Sequence, residues 1–145
     1  MIERFGAYAM AFEQVMTSDD WSAIEPFFTE DVVYETNAVA PFDGRWEGRA
    51  AVLAALKESL DGFDRRCDSR TPEIVEGPVE KDGGVRIGFR VVYTLDGAPD
   101  FVLEGEETAR FEGDRIRHLE DRYSAEMNRT LTAWYAEHGA KLRAG

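Results

Sequence analysis

From about residue 66 the spacing of apolar residues changes from helical to alternating, and it stays alternating through four segments joined by compact turn signals. The segments cover 66–80, 85–95, 100–111 and 115–123, separated by Lys81-Asp82-Gly83-Gly84, Asp96-Gly97-Ala98-Pro99 and Glu112-Gly113-Asp114. Long strands joined by turns this short pair antiparallel with their neighbours, so the second half of the chain is predicted to be a meander. In its second strand Val85, Ile87, Phe89, Val91, Tyr93 and Leu95 share one face, while Arg86, Arg90 and Thr94 share the other. Pro72 and Gly77-Pro78 interrupt the first segment, and proline cannot donate to a ladder, which places that strand at an edge with a bulge.

A sheet with one apolar face needs something to cover it, and the first half of the chain supplies helices. Phe5, Tyr8, Ala9, Phe12, Val15 and Met16 recur at helical spacing, predicting a helix over 3–16. Thr17-Ser18-Asp19-Asp20 offers caps for a second short helix carrying Trp21, Ile24, Phe27 and Phe28, which Pro26 shortens or kinks. Val32 to Thr36 reads as a strand, and a loop with Asn37, Pro41, Gly44 and Gly48 follows. Arg49 to Asp61 reads as a third helix with Gly62 as its C-cap. A last helix over 125–142 presents Met127, Leu131, Trp134, Tyr135 and His138. The 145 residues leave room for a single domain over 1–145, with a core over about 3–126 and the extra C-terminal helix beyond it. The expected class is α+β: a strongly curved antiparallel sheet wrapped around the N-terminal helices in a cone. The wide end of such a cone cannot be filled by backbone and becomes a cavity lined by inward side chains.

The hairpin that closes the meander carries the chemistry. Parity puts Leu103, Gly105, Glu107, Ala109 and Phe111 on one face of its first strand and Arg117, Leu119, Asp121 and Tyr123 on one face of its second. The apolar members mark these as inward, and Ile116, His118, Glu120 and Arg122 as outward. The register that joins both apolar faces across a short bulged turn sets Ala109 beside Leu119 and Glu107 beside Asp121. Opposed residues have Cβ atoms about 4.5–5.5 Å apart, so the two carboxyls cannot both ionise cheaply and one holds its proton. Such a pair suits proton abstraction beside a carbonyl, the ionised member taking the proton and the protonated one donating to the enolate. An ordinary salt bridge to an inward Arg117 is the competing structural reading.

Other chemistries have less support. With 29 acidic against 17 basic residues and a net charge of -12, the chain repels phosphate backbones and anionic lipid, so neither nucleic acid nor membrane is expected as a partner. Cys67 is alone, which excludes an internal disulfide and fits a reducing compartment; with no apolar run near the roughly 18 residues of a membrane span, a cytoplasmic location is expected. His118 and His138 form no metal-ligand spacing with cysteines or carboxylates, and no phosphate loop or nucleophile elbow occurs, so neither metal nor cofactor is expected. Gly44-Arg45-Trp46-Glu47-Gly48-Arg49 reads either as an anion site at a helix N-terminus or as a flexible rim loop.

The run from Ser18 through Trp21-Ser22-Ala23-Ile24-Glu25-Pro26-Phe27-Phe28 to Glu35 resembles the start of the nuclear transport factor 2-like superfamily, and in particular its SnoaL-like branch. Gly44 to Val52, Gly113-Asp114-Arg115-Ile116 and Glu120-Asp121-Arg122-Tyr123 are similar to that branch too, so the resemblance spans residue 3 to about 126. It implies the cone fold, a cystatin-like α+β barrel, often a homodimer through the outer sheet face, and a wide range of activities. Against ketosteroid isomerase, Thr36 falls at the general base, Phe12 at the oxyanion-hole tyrosine and Glu107 at the protonated acid, so one role of three survives. Against limonene epoxide hydrolase, Tyr34 and Asp121 match, but Ile87 and Phe89 replace its arginine and second aspartate. Polyketide cyclases of the branch use a last-strand aspartate, which Asp121 matches, and scytalone dehydratase needs inward histidines that an outward His118 does not supply.

The candidate catalytic residues are therefore Asp121, Glu107 and Tyr34, with Phe12, Thr36, Phe89, Leu119 and Tyr123 lining the space for a small hydrophobic molecule. Two functions fit: a cofactor-free isomerase, cyclase or dehydratase type of enzyme, and a non-catalytic ligand-binding or assembly protein of the same fold.

Overall fold

The computed structural model describes residues 1–143. The first helix, α1, runs Ile2–Ser18 and buries Phe5, Tyr8 and Val15. It ends at Asp19, whose left-handed backbone (φ 55°) lets its N–H return to Val15 O. The expected second helix is two separate 3-10 turns, Trp21–Ala23 and Glu25–Phe27. Pro26 lacks the N–H that a continuous helix would need. Phe28 consequently belongs to the first strand, β1, Phe28–Thr36. The supposed loop after it contains a second strand, β2, Gly44–Glu47, paired antiparallel with β1 so that Trp46 lies opposite Tyr34. The next helix, α2, spans Arg49–Gly62 and is capped by Phe63 rather than by Gly62.

The meander consists of β3 (Ser69–Lys81), β4 (Gly84–Thr94), β5 (Phe101–Glu112) and β6 (Arg115–Arg122). In the six-stranded sheet of order β2-β1-β6-β5-β4-β3, β3 lies at an edge and carries register shifts on both sides of Glu76, as its prolines require. The sheet is mixed rather than wholly antiparallel: β1 runs parallel to β6, because α2 and the long meander separate them in the chain. On the outer face Arg86 pairs with Glu106 and Arg90 with Glu73, cross-strand ladders within the chain.

The closing hairpin has the predicted register, with Glu107 opposite Asp121 and Ala109 opposite Leu119, but a bulge alters its turn end. Arg110 faces His118 while Phe111 faces Ile116, which leaves Arg117 as the extra residue. Parity therefore reverses there. Ile116, expected outside, is fully buried, and Arg117, expected inside, is exposed. The final helix, α3, is Ala125–His138, begun by the Ser124 side chain accepting from Met127 N and followed by a 3-10 turn over Gly139–Lys141.

Two apolar clusters result. One packs α1 and α2 into the concave face through Phe5, Tyr8, Val15, Val52, Val85, Ala109 and Leu119. The other, built around Phe63, Tyr93, Phe101, Leu131 and Trp134, docks α3 on the outer end of β4 and β5. Phe89 packs against both clusters, and the space beside it is not filled.

Candidate functional site

The gap between the clusters is a cavity of about 440 Å3. Glu107 enters it from β5 and Asp121 from β6, as directly opposed residues of an antiparallel pair. Both are half-buried and line the cavity. Tyr34 arrives from β1, where the parallel register sets Thr36 beside Asp121. Its hydroxyl donates to Asp121 Oδ2 at 2.8 Å. The Tyr34 ring is held from behind by Trp46, stacked at 5.5 Å with 15° between planes. The unpredicted strand β2 thus has a local purpose: it aims the phenol at the carboxylate.

Asp121 Oδ1 is buried and has no hydrogen-bond donor among the charged-state partners around it. Glu107, directly opposite, is the neighbour whose protonated form can donate to Asp121. Burial is the first reason that both carboxyls are pushed up, Glu107 the further of the two because the Asp121 charge adds to it, whereas hydrogen bonds from Glu107 and Tyr34 hold Asp121 back. Desolvation thus favours the neutral form of both groups, and the like charge of Asp121 favours it most at Glu107. Among the described residues no cation pairs with either carboxyl, and Arg117 is exposed.

All eight residues singled out from the sequence line the cavity: Glu107, Asp121, Tyr34, Phe12, Thr36, Phe89, Leu119 and Tyr123. Thr36 Oγ1 accepts from Ala38 N at 3.3 Å, so its hydroxyl also fixes the turn after β1. Tyr123 lies flat across Gly105, where a Cβ would come within 2.7 Å of the ring, and meets Phe89 edge-on at 6.0 Å. Glycine at 105 is what lets this tyrosine reach the wall beside Glu107. His118 is on the opposite side of β6, 3.5 Å from Glu35, as parity indicated. The Gly44–Arg49 stretch is not an open anion cradle: Arg45 pairs with Glu35 and Glu47, and Arg49 with Glu25.

Two features escaped the sequence reading. Tyr8, one turn before Phe12 on the same face of α1, is the helix tyrosine that feels the pair; after burial, the charges of Glu107 and Asp121 are what push its phenol up. The signal was available, as the one hydroxyl in an otherwise apolar stripe. The other is a polar group at a different part of the wall, formed by Asp64 after α2, Arg70 on β3 and Tyr93 opposite it on β4. Arg70 Nε meets Asp64 Oδ2 at 2.7 Å and Tyr93 donates to the same oxygen at 3.1 Å. Nothing periodic joins those three positions. Cys67 nearby is buried, and burial pushes its thiol up to about 11, far from the thiolate a nucleophile needs. Among the described residues no group of three or more His, Cys, Asp or Glu is placed to hold a metal ion.

A sequence profile of the SnoaL-like domain matches residues 9–119. No curated protein matches the chain in sequence. Among solved structures, a ketosteroid isomerase-like protein from Catenulispora acidiphila in complex with trimethylamine is similar, with 19% identity over 81% of this chain and 85% of that one and a TM-score of 0.60. An NTF2-like protein from Burkholderia xenovorans is similar at 13% identity, 91% and 95% coverage and a TM-score of 0.65. A protein assigned to the SnoaL-like polyketide cyclases, from Shewanella denitrificans, is similar at 15% identity, 91% and 96% coverage and a TM-score of 0.63. At such identities the likeness is one of fold: the same cone, from chains of nearly the same length.

Proposed function

The chain belongs to the SnoaL-like domain family, and from that premise we propose that it is a cofactor-free enzyme that moves a proton next to the carbonyl of a small hydrophobic molecule held in the cavity. The observation that carries the reading is the opposed Glu107–Asp121 pair with the Tyr34 hydroxyl 2.8 Å from Asp121, set in a largely aromatic and aliphatic wall. Ionised Asp121 takes the proton from the carbon α to the carbonyl. The C–H electron pair moves into the enolate, and the Glu107 proton is donated to the oxygen that becomes negative. Return of a proton to a different carbon completes an isomerisation; attack of the enolate carbon on a second carbonyl completes a cyclisation. Tyr34 keeps Asp121 ionised by hydrogen bonding to its charged form.

The test is solvent-deuterium exchange into the α-position of tetralone, an apolar bicyclic ketone, followed by NMR. Exchange above the buffer rate that disappears in Asp121→Asn supports the reading, and exchange equal to buffer in the native protein overturns it for ketones of this class. The second reading, a non-catalytic ligand-binding or assembly protein, draws its support from Thr36, which stands where ketosteroid isomerase has its base and cannot take a proton. A protein that binds tetralone without accelerating exchange would be of this kind. A homodimer through the outer sheet face, where Val102 is exposed one step beyond the Arg90–Glu104 pair, belongs to either proposal and is tested by sedimentation. No described helix is long and apolar enough to cross a membrane, and for the location we propose the cytoplasm.

A further inference from the structure

We propose that Arg70 is a second anchor in the same cavity, for a carboxylate at the far end of the ligand, and that Glu13 occupies this anchor until the ligand displaces it. The inference rests on the reading above, in which the carbonyl end of the ligand meets Asp121. Arg70 is the one cationic side chain among the described residues that line the cavity. Its side chain is 12% exposed and that of Asp64 is 11% exposed, so this pair is built into the wall. Asp64 accepts from Arg70 Nε at 2.7 Å and from the Tyr93 hydroxyl at 3.1 Å, which fixes the plane of the guanidinium. Its other edge, Nη1 with Nη2, is left for a different partner.

That partner is Glu13, at 2.6 Å from Nη1, and it differs from Asp64 in kind. Its side chain is 44% exposed on α1, and an ion pair made from the surface contributes little because water solvates the carboxylate almost as well. A ligand carboxylate carried in by burial of an apolar body can therefore take its place, with both oxygens on the open guanidinium edge. The exchange keeps two carboxylates on Arg70, that of Asp64 and that of the ligand, and returns Glu13 to water, so the charge around the guanidinium is unchanged. Tyr123 lies between the two polar ends: Asp121, Glu107 and Asp64 all oppose its ionisation. Phe89, Val91 and Leu103 supply the apolar wall. The ligand class is thus an elongated, mainly aromatic carbonyl compound with an enolisable end and a carboxylate at the opposite end.

The full chain is titrated, by fluorescence, with naphthol and with hydroxynaphthoic and hydroxynaphthyl propanoic acids whose carboxylate lies opposite the hydroxyl. At least one of the acids is expected to bind about tenfold tighter than naphthol. Arg70→Gln should erase that preference while naphthol affinity stays within about twofold. Glu13→Gln, a surface change, should tighten the acid about threefold and leave naphthol unaltered, a gain that loss of folding cannot imitate. Equal binding of naphthol and both acids by the native protein, a preference that survives in Arg70→Gln, or no gain in Glu13→Gln would each overturn the assignment of Arg70. Those outcomes leave the Asp121 chemistry intact as judged by tetralone exchange, whereas no binding of any probe overturns both.

Discussion

Glu107 and Asp121 face each other inside the cavity with no cation paired to them among the described residues, whereas Asp19, at the left-handed end of α1, stands near solvent among Trp21, Arg65 and Lys57. Both are carboxylates at the junction of two elements. Burial pushes the first pair up. Donation from the Trp21 indole, then from Arg65 and Lys57, brings Asp19 down to about 2. Asp19 is the structural use of an acid: it ties the end of α1 to α2 and to the turn after it, with Arg65 also bonding Asp61 and Val15 O. The cavity pair has one such tie, from Tyr34 of β1 to Asp121, and no ion pair among the described residues. Burial favours a retained proton there, which the proposed acid/base use needs and a clamp does not.

The comparison breaks first at Asp121. Asp121→Asn is expected to lower the rate of α-proton exchange by roughly 100- to 10,000-fold, the range for loss of a positioned general base, while Asp19→Asn leaves that rate alone; equal losses in NMR-monitored exchange would show that the two sites do not differ in kind. Tyr34→Phe removes one donor to the charged carboxylate, typically worth about 1.5–3 kcal/mol. Asp121 then ionises at higher pH, and the acid limb of the pH–rate profile should move up with it. A limb that stays in place would detach Tyr34 from Asp121.

Smaller effects sharpen the contrast through stability. Folded Glu107 holds its proton above the ordinary glutamate value of 4.5, so the folded chain binds a proton that the unfolded chain releases. What the protonated pair contributes is complete below that pH and is lost as the pH rises through the raised value. Thermal melts of the native protein should therefore decline toward alkaline pH, and those of Glu107→Gln should decline less. Asp19 works in the opposite direction, its contribution present above 3.8 and lost as the pH falls toward about 2. Being fully exposed, it should give the smallest effect: Asp19→Asn slightly lowers the melting temperature at neutral pH and removes part of the acid-side loss, a difference read in paired melts.

Much of the cavity pair was legible because strand parity and turn length are local properties. Val85 to Leu95, Phe101 to Phe111 and Leu119 to Tyr123 name their inward faces by composition, and once both faces of a hairpin are known the register follows. Arg117 and Ile116 went to the wrong sides because a bulge adds one residue to one strand, and the site of that addition depends on how the turn packs. β2 was hidden by its length, since Gly44–Glu47 is too short to show alternation and becomes a strand by pairing with β1. Tyr8 was read with the core and not with the site, because a helical stripe does not say which of its turns faces an acid across the cone.

The sequence by itself determined the α+β class, the edge position of β3 and the meeting of Glu107 with Asp121, all of which rest on period, turn residues and proline. Only the tertiary structure decided that β1 runs parallel to β6, which brings Tyr34 to Asp121, and that Asp64, Arg70 and Tyr93 share a wall with them. The physical reason is the range of the forces involved. Backbone geometry and apolar alternation act between neighbours in the chain, while the protonation of a buried acid depends on which groups the closed sheet sets around it, and those come from elements far apart in sequence.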